Sequence, residues 1–391
     1  RRNEMEKTRI GVIGCGNISD IYFQNISKFD NIEVTAIADM LPERAEEKAK
    51  TYGGKAMSVD ELLNCPEVDV VLNLTIPAAH YEIDMKALNA GKHVYSEKPL
   101  ATRLEDGKEI IELAKSKGLF VGCAPDTFMG ARPQTMKKMI DEGWIGRPIA
   151  ATAFMVCPGH ECWHPNPEFY YKFGAGPLFD MGPYYFASLV AMLGPAKRIC
   201  GFATKGYEKR MITSEPLAGQ MIDVDVPTHV AGTIEFEKGA IATVIMSFDV
   251  WDHNLPCLEI YGTDGTLSMT DPDPLAGPDI FHGTTMFRRK NESDWTGYPY
   301  SLPRKEERTP WARIPSCYDY DENSRALGLA DMARAIKNGG KYRANGDFAY
   351  HVLEIMHGFY QAAETGRYYE MTSTCEISDM MPMNRPEFTM E

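Results

Sequence analysis

The sequence predicts an α/β chain: an N-terminal doubly wound parallel sheet, then an α+β domain on a large open, mainly antiparallel sheet. Three observations predict it. Short apolar runs alternate with helical patterns up to about residue 127. Beyond that point the apolar spacing switches to period two around turn signals. The length of 391 residues also exceeds the roughly 100–200 residues of one domain. The expected division is 6–127 for the first domain and 128–391 for the second, with the closing helices packing back on the first.

The elements follow in order. Arg9–Ile13 (RIGVI) reads as a buried strand, and Ile18, Tyr22, Ile26 and Phe29 recur behind it at helical spacing. Ile32–Ala38 is a second strand ending at Asp39. Pro42 suits a first helical turn, with Ala45, Ala49 and Tyr52 on the inner face. Val68–Leu74 is a third strand, and a helix over Ala79–Ala90 stops at Gly91. His93–Ser96 and Leu119–Gly122 are short strands with a helix between them. In the second half, Thr228–Phe236 and Ala240–Val250 alternate around Glu237-Lys238-Gly239, and Leu258–Tyr261 and Thr266–Met269 flank a Gly262–Gly265 turn. Both read as antiparallel hairpins. Pro272–Tyr320, rich in Pro, Gly and aromatics, reads as a long irregular stretch, a binding loop or plain surface. Ala326–Lys337 and Tyr350–Glu364 are closing helices.

Composition narrows the function classes. Lys+Arg number 41 against 55 Asp+Glu, a net charge of −14, which disfavours nucleic acid and anionic membranes as partners. No apolar run reaches the ~18 residues of a membrane span. Arg1-Arg2 lacks a following apolar stretch and suggests a tag remnant or trimmed start before Met5 rather than an export signal. Nine scattered cysteines with no CxxC pair suggest free thiols and a cytoplasmic setting. No metal site is expected: His160 and His164 stand at i, i+4, but Pro165 and Pro167 break any helix there and no third ligand is evident.

Gly14, Gly16 and Ser19 form G-x-G-x-x-S between a strand and a helix. Such glycines permit a tight turn and close backbone approach to a pyrophosphate seated on the helix N-terminus. Asp39, 23 positions beyond Gly16, ends the next strand, where a carboxylate binds ribose hydroxyls and repels a 2′-phosphate. This is a Rossmann fingerprint, and NAD is the expected cofactor. Asn17 and Ile18 of the turn are expected beside it.

SEKPLA (Ser96–Ala101), Pro77 with His80, and the block GAGPLFDMGPYY together resemble the Gfo/Idh/MocA family of glucose–fructose oxidoreductases and inositol dehydrogenases. The resemblance covers nearly the whole chain. It implies that Thr75, Pro77, His80, Glu97 and Lys98 line the cofactor side and that Lys98 takes part in catalysis. The family's D-x-x-x-H motif appears here as Asp180-Met181-Gly182-Pro183-Tyr184. Tyr at this place is similar to the glucose–fructose oxidoreductase and dihydrodiol dehydrogenase branches. Tyr184 with Lys98 is then the expected acid/base pair, with Asp180 orienting it or binding substrate hydroxyls. Burial is expected to lower the lysine toward neutrality. His164 is the alternative acid/base.

His160, Trp163 and His164 suit a sugar, whose ring face stacks and whose hydroxyls hydrogen-bond. Asp126 and Trp251 are further substrate-binding candidates. The expected function is NAD-dependent oxidation of a secondary hydroxyl of a sugar or glycoside, at C3 in the sharpest form, with NAD either exchanged or kept bound and recycled. The alternatives are a glycosidase using transient C3 oxidation and a non-enzymatic NAD-binding sensor. An apolar open sheet face predicts a homodimer or higher homo-oligomer.

Overall fold

The computed structural model describes residues 7–269, 283–290, 310–383 and 386–390. The first layer set is a βα alternation: β1 (Thr8–Ile13), α1 (Ser19–Ile26), β2 (Ile32–Ala38), α2 (Pro42–Tyr52), β3 (Lys55–Ala56), α3 (Val59–Asn64), β4 (Val70–Asn73), α4 (Pro77–Asn89), β5 (His93–Ser96), α5 (Leu104–Lys117) and β6 (Val121–Cys123). Ile10, Val12, Val70, Val71, Leu72 and Val94 are fully buried. That is the signature of strands covered by helices on both faces. The strands are all parallel in the order β3-β2-β1-β4-β5-β6. The order reverses between β1 and β4, so the crevice at their C-terminal ends is the place for a ligand.

The chain continues through α6 (Ala131–Asp141), β7 (Pro148–Val156), α7 (Gly176–Asp180), α8 (Gly182–Leu193), β8 (Ala196–Thr204), β9 (Lys209–Met211), β10 (Met221–Asp223), β11 (His229–Phe236), β12 (Ile241–Ser247), β13 (Leu258–Gly262), β14 (Gly265–Met269), β15 (Thr285–Arg289) and β16 (Ala312–Ile314). It closes with α9 (Leu327–Asn338), α10 (Gly346–Thr365) and β17 (Tyr369–Glu370). Among the described residues the second sheet has nine strands, ordered β16-β15-β14-β13-β7-β12-β11-β8-β17. All pairs are antiparallel except β7 with β12. Both expected hairpins are present, as β11–β12 and β13–β14.

One face of this sheet is buried: Val230, Ile234, Phe236, Ala242, Val244 and Met246 are inaccessible, and α8 and α10 pack on the sheet. Across the other face runs a registered row, Phe202–Ala231–Ile245–Phe154. Phe202 in that row is 76% exposed. The reading of Pro272–Tyr320 as wholly irregular is corrected, because β15 and β16 extend the sheet inside it. Residues 270–282 and 291–309 of that stretch, like Arg1-Arg2, lie outside the described residues. α10 packs back on α5 and β6 of the parallel sheet.

Candidate active site

The strand-end turn after β1 is shaped for a dinucleotide. Gly14 has φ +104°, and a Cβ there would sit 2.7 Å from the Leu74 backbone. Only glycine fits that approach. At Gly16 a Cβ would meet nothing within 4 Å, which leaves open space above the turn. α1 begins at once behind it without a side-chain cap; Ser19 N is spent on Gly16 O at 3.0 Å, and the N–H groups that follow it in the first turn face the place for an anion. Ser19 is buried and its Oγ donates to Gly16 O at 2.7 Å, closing the turn. Asn17 is exposed and Ile18 half-buried at the helix start. Asp39 Oδ2 accepts from Cys15 N at 2.7 Å and Oδ1 from Leu41 N at 2.9 Å. The carboxylate is thus fixed beside the glycine turn, with Met40 and Leu41 exposed next to it. These residues fit a bound NAD: a phosphate cradle, a ribose-binding carboxylate and apolar surface for adenine.

β4 and β5 deliver the next residues. Asp84 of α4 is buried between Asn73 Nδ2 (2.7 Å) and Ser96 Oγ (2.7 Å), tying the two strand ends together. Burial pushes its carboxyl up to about 7. Thr75 Oγ1 donates to Asn73 Oδ1 at 2.6 Å. Pro77 opens α4. His80 and Glu97, expected against the cofactor, are turned inward. His80 is fully buried between the carbonyls of Pro99 (2.7 Å) and Thr75 (3.0 Å), so it shapes the turn. Glu97 accepts from Tyr22 Oη of α1 at 2.7 Å and from Lys98 N at 3.0 Å, and is 7% exposed.

Lys98 reaches across to the second sheet's helices. Its Nζ donates to Asp180 Oδ1 at 2.7 Å and to Asp180 O at 2.9 Å. Asp180 Oδ2 takes a third bond, from His160 Nε2 at 3.1 Å, while His160 Nδ1 accepts from Trp163 Nε1 at 3.2 Å. Indole is a donor only, so the imidazole carries its proton on Nε2, toward Asp180. The row is Lys98–Asp180–His160–Trp163. Burial works against charge on both partners of the lysine–aspartate pair. Their mutual attraction outweighs it, holding Asp180 well below the usual carboxylate range and Lys98 above the usual lysine value. The expectation of a lysine lowered toward neutrality is corrected: Asp180, Tyr184 and Glu97 surround it and keep it cationic.

The structure brings the expected pair, Tyr184 and Lys98, together through the ring face rather than through a hydrogen bond. Lys98 Nζ lies 5.3 Å from the centroid of the Tyr184 ring, and the phenol oxygen accepts instead from Arg325 Nη2 at 3.2 Å. Arg325 precedes α9 and carried no sequence signal.

The loop after β7 forms the outer wall. Tyr170 packs on His160 with ring centroids 4.4 Å apart. His164 lies one ring further out, against Trp163, Phe169 and Tyr170. Its Nδ1 accepts from Asn166 N, and burial holds it below the ordinary histidine value. His160, not His164, joins Asp180. Trp163, Phe169 and Phe173 are exposed. Arg210 of β9 anchors this loop: Nη1 binds Pro158 O (2.9 Å) and Glu161 Oε1 (2.6 Å), and Nη2 binds Phe248 O and Asp249 Oδ1 (both 2.7 Å). Phe248 backs His160 with ring centroids 4.5 Å apart. Tyr170 and Arg210 escaped sequence reading because neither stands in a motif.

The structure turns one substrate-binding candidate inward and leaves another at the surface. Asp126 is 1% exposed, and its Oδ2 accepts from Gly328 N at 2.9 Å, capping the start of α9. Burial pushes it up to about 6. Trp251 stands 79% exposed in the loop after β12.

Comparison with known proteins identifies the family. The profile of the oxidoreductase family with an NAD-binding Rossmann fold matches residues 8–124, and the GFO/IDH/MocA C-terminal domain matches 134–268. The 1,5-anhydro-D-fructose reductase of Ensifer adhaerens is 31% identical over 66% of this chain and 74% of its own length. The D-glucoside 3-dehydrogenase of Escherichia coli is 23% identical over 93% of this chain and 97% of its own. Levoglucosan dehydrogenase, solved with NADH and L-sorbose, superposes with a TM-score of 0.77 at 20% identity, over 94% of this chain and all of its own. No helix among the described residues is long and apolar enough to cross a membrane. The chain belongs to the Gfo/Idh/MocA family: it is an NAD-dependent oxidoreductase of the sugar and polyol class, acting on CH–OH.

Proposed function

We propose that this enzyme oxidises a secondary hydroxyl of a sugar or glycoside, at C3 of a glucoside, with Tyr184 as the proton carrier. One observation carries the reading: the row Lys98–Asp180–His160–Trp163 runs from the cofactor-binding sheet to an exposed aromatic wall. Bound NAD supplies the hydride acceptor. The remaining work is to bind the sugar, fix the reacting oxygen and hold its proton.

Lys98 has three N–H donors, and two of them are spent on Asp180. The third serves as a fixed cationic donor to the oxygen that develops charge as C–H and O–H break. Lys98 is therefore an electrostatic stabiliser, not a base. In the oxidation Tyr184 acts as the phenolate: its Oη takes the hydroxyl proton and passes it to solvent between turnovers, and in reduction the phenol gives its proton to the carbonyl oxygen. Asp180 and His160 hold Lys98 and bind neighbouring hydroxyls. Trp163 and Phe173 give the sugar ring a stacking surface. The alignment with D-glucoside 3-dehydrogenase, which spans most of this chain, supports C3.

The test offers levoglucosan, myo-inositol and methyl β-D-glucopyranoside with NAD, following NADH and keto-sugar products by mass spectrometry. NADH with a 3-keto glucoside is the expected result. Glycoside cleavage without net NADH would turn the reading to a glycosidase, and NAD binding without turnover to a sensor. Hydride exchange between two sugars on co-purified NAD would mark in-place recycling. We further propose that two copies pair through the open sheet face. The exposed Phe202 and Ile241, with half-buried Ile245 between them in the alternation of that face, support this.

A further inference from the structure

We infer that Arg325 is a positioning residue for this reaction: it fixes the Tyr184 oxygen so that its proton-exchanging side faces away from the guanidinium, toward the substrate oxygen during the reaction and toward solvent between turnovers. The inference rests on Tyr184 as proton carrier.

The guanidinium donates Nη2 to Tyr184 Oη at 3.2 Å and Nη1 to Asn323 Oδ1 at 2.7 Å. Arg325 is 8% exposed. A guanidinium has donors and no acceptor, so the phenol oxygen must be the acceptor in this bond. The phenolic hydrogen therefore points away from Arg325. The other cation near the ring, Lys98, is also a donor only. Neither cation can take the phenol's proton, which leaves that side of the oxygen to the substrate oxygen, and to water once product has left. When the proton has moved onto Tyr184 the oxygen is neutral. When it has moved off, the phenolate charge lies within hydrogen-bond reach of a fixed cation.

The rest of the turn holds Arg325 in place. Asn25 Nδ2 of α1 binds the carbonyls of Asn323 (2.7 Å) and Arg325 (3.0 Å). Ala326, fully buried, has φ +79°, a conformation that costs a non-glycine residue energy and persists only where its surroundings enforce it. Glu97 acts on the guanidinium as a nearby anion and is itself bonded to Tyr22. The reacting tyrosine of the second domain is thus referenced to the cofactor-binding domain through one arginine.

The experiment is a double-mutant cycle on Arg325 and Tyr184, using whichever of levoglucosan, myo-inositol and methyl β-D-glucopyranoside gives the fastest NADH formation. Arg325→Gln should lower kcat by about 10²-fold, the low end for a lost acid/base contribution, with KM and NAD affinity little changed. In the Tyr184→Phe background the same change should cost no more than about twofold, because its effect passes through the phenol. Arg325→Lys, which keeps the charge, should recover part of the loss, and the cycle is run with it if Arg325→Gln does not fold. Equal losses in the Tyr and Phe backgrounds would overturn the inference and make Arg325 a structural tie. Tyr184→Phe turning over at the unmodified rate would instead overturn the assignment of Tyr184, and this inference with it. Turnover of none of the three sugars would overturn both.

Discussion

Asp180→Asn tests the electrostatics of the site. Lys98 and Asp180 have side chains only 16% and 12% exposed, so little solvent screens their attraction. Removing one partner of a buried pair costs about 3–5 kcal/mol, chiefly because the other charge is left uncompensated. Asn retains one acceptor for Lys98 Nζ, and the Asp180 carbonyl bond survives, so the lower end applies: about 3 kcal/mol. That is roughly a hundredfold in the unfolding equilibrium, readable as a shifted urea midpoint at unchanged slope. Adding Lys98→Met removes the orphaned charge and should return stability to within about 1.5 kcal/mol of the unmodified protein. The pH dependence has a definite sign. The depressed carboxyl of Asp180 contributes stability above its ordinary value near 3.9 and loses it as pH falls through the depressed one. The raised ammonium of Lys98 contributes below its ordinary value near 10.4 and loses it as pH rises beyond the raised one. The pair's contribution is therefore flat from about pH 4 to pH 10. In Asp180→Asn burial meets less opposition, so Lys98 loses its proton at lower pH and a basic limb moves into the pH–rate profile. A variant within about 1 kcal/mol of the parent, with an unmoved basic limb, would refute the account of Lys98 as a paired, permanent cation.

Asp39→Ala should weaken NAD about 10–100-fold, from loss of charged hydrogen bonds to ribose, and leave NADP less affected; titration of both cofactors checks it. His160→Ala should lower kcat at least about tenfold, because it releases Asp180 and the Trp163 wall, whereas His164→Ala should stay within about threefold. Similar losses in both would return His164 to the acid/base role. Light scattering at micromolar concentration should give a mass of at least twice 43.8 kDa, and Phe202→Glu should lower it by placing charge at the exposed apolar position of that face.

The parallel half was legible because its signals are local. A buried parallel strand is a continuous apolar run, and the glycine turn and Asp39 fall at fixed offsets from it. The hairpins β11–β12 and β13–β14 were legible for the same reason, their turns lying between two alternating runs. β7 and β8 were not, although they pair with β12 and β11, β7 at the centre of the second sheet and β8 next to its edge. Their partners stand dozens of residues away, and nothing between them reads as a turn. β15 and β16 lie among Pro, Gly and aromatic residues whose composition argues for a loop, and edge pairing overrides that composition.

The site divides along the same line. Lys98 and Asp180 stand in motifs, so their presence could be read, but their charge states could not. Burial alone would drive a lysine toward neutrality, and the 2.7 Å approach of a carboxylate from residue 180, with Tyr184 and Glu97 nearby, reverses the sign. Tyr184 shows the same limit more sharply. Sequence reasoning gave it the nearest known cation, Lys98, yet its oxygen is bonded to an arginine 141 residues further along. His160 and His164 differ by one turn of a loop and are equivalent in composition. Trp163 separates them by donating to His160 Nδ1, which leaves Nε2–H for Asp180. In each case the residue type announces what chemistry is available, and a contact distant in sequence decides which protonation state and which direction of donation the site uses.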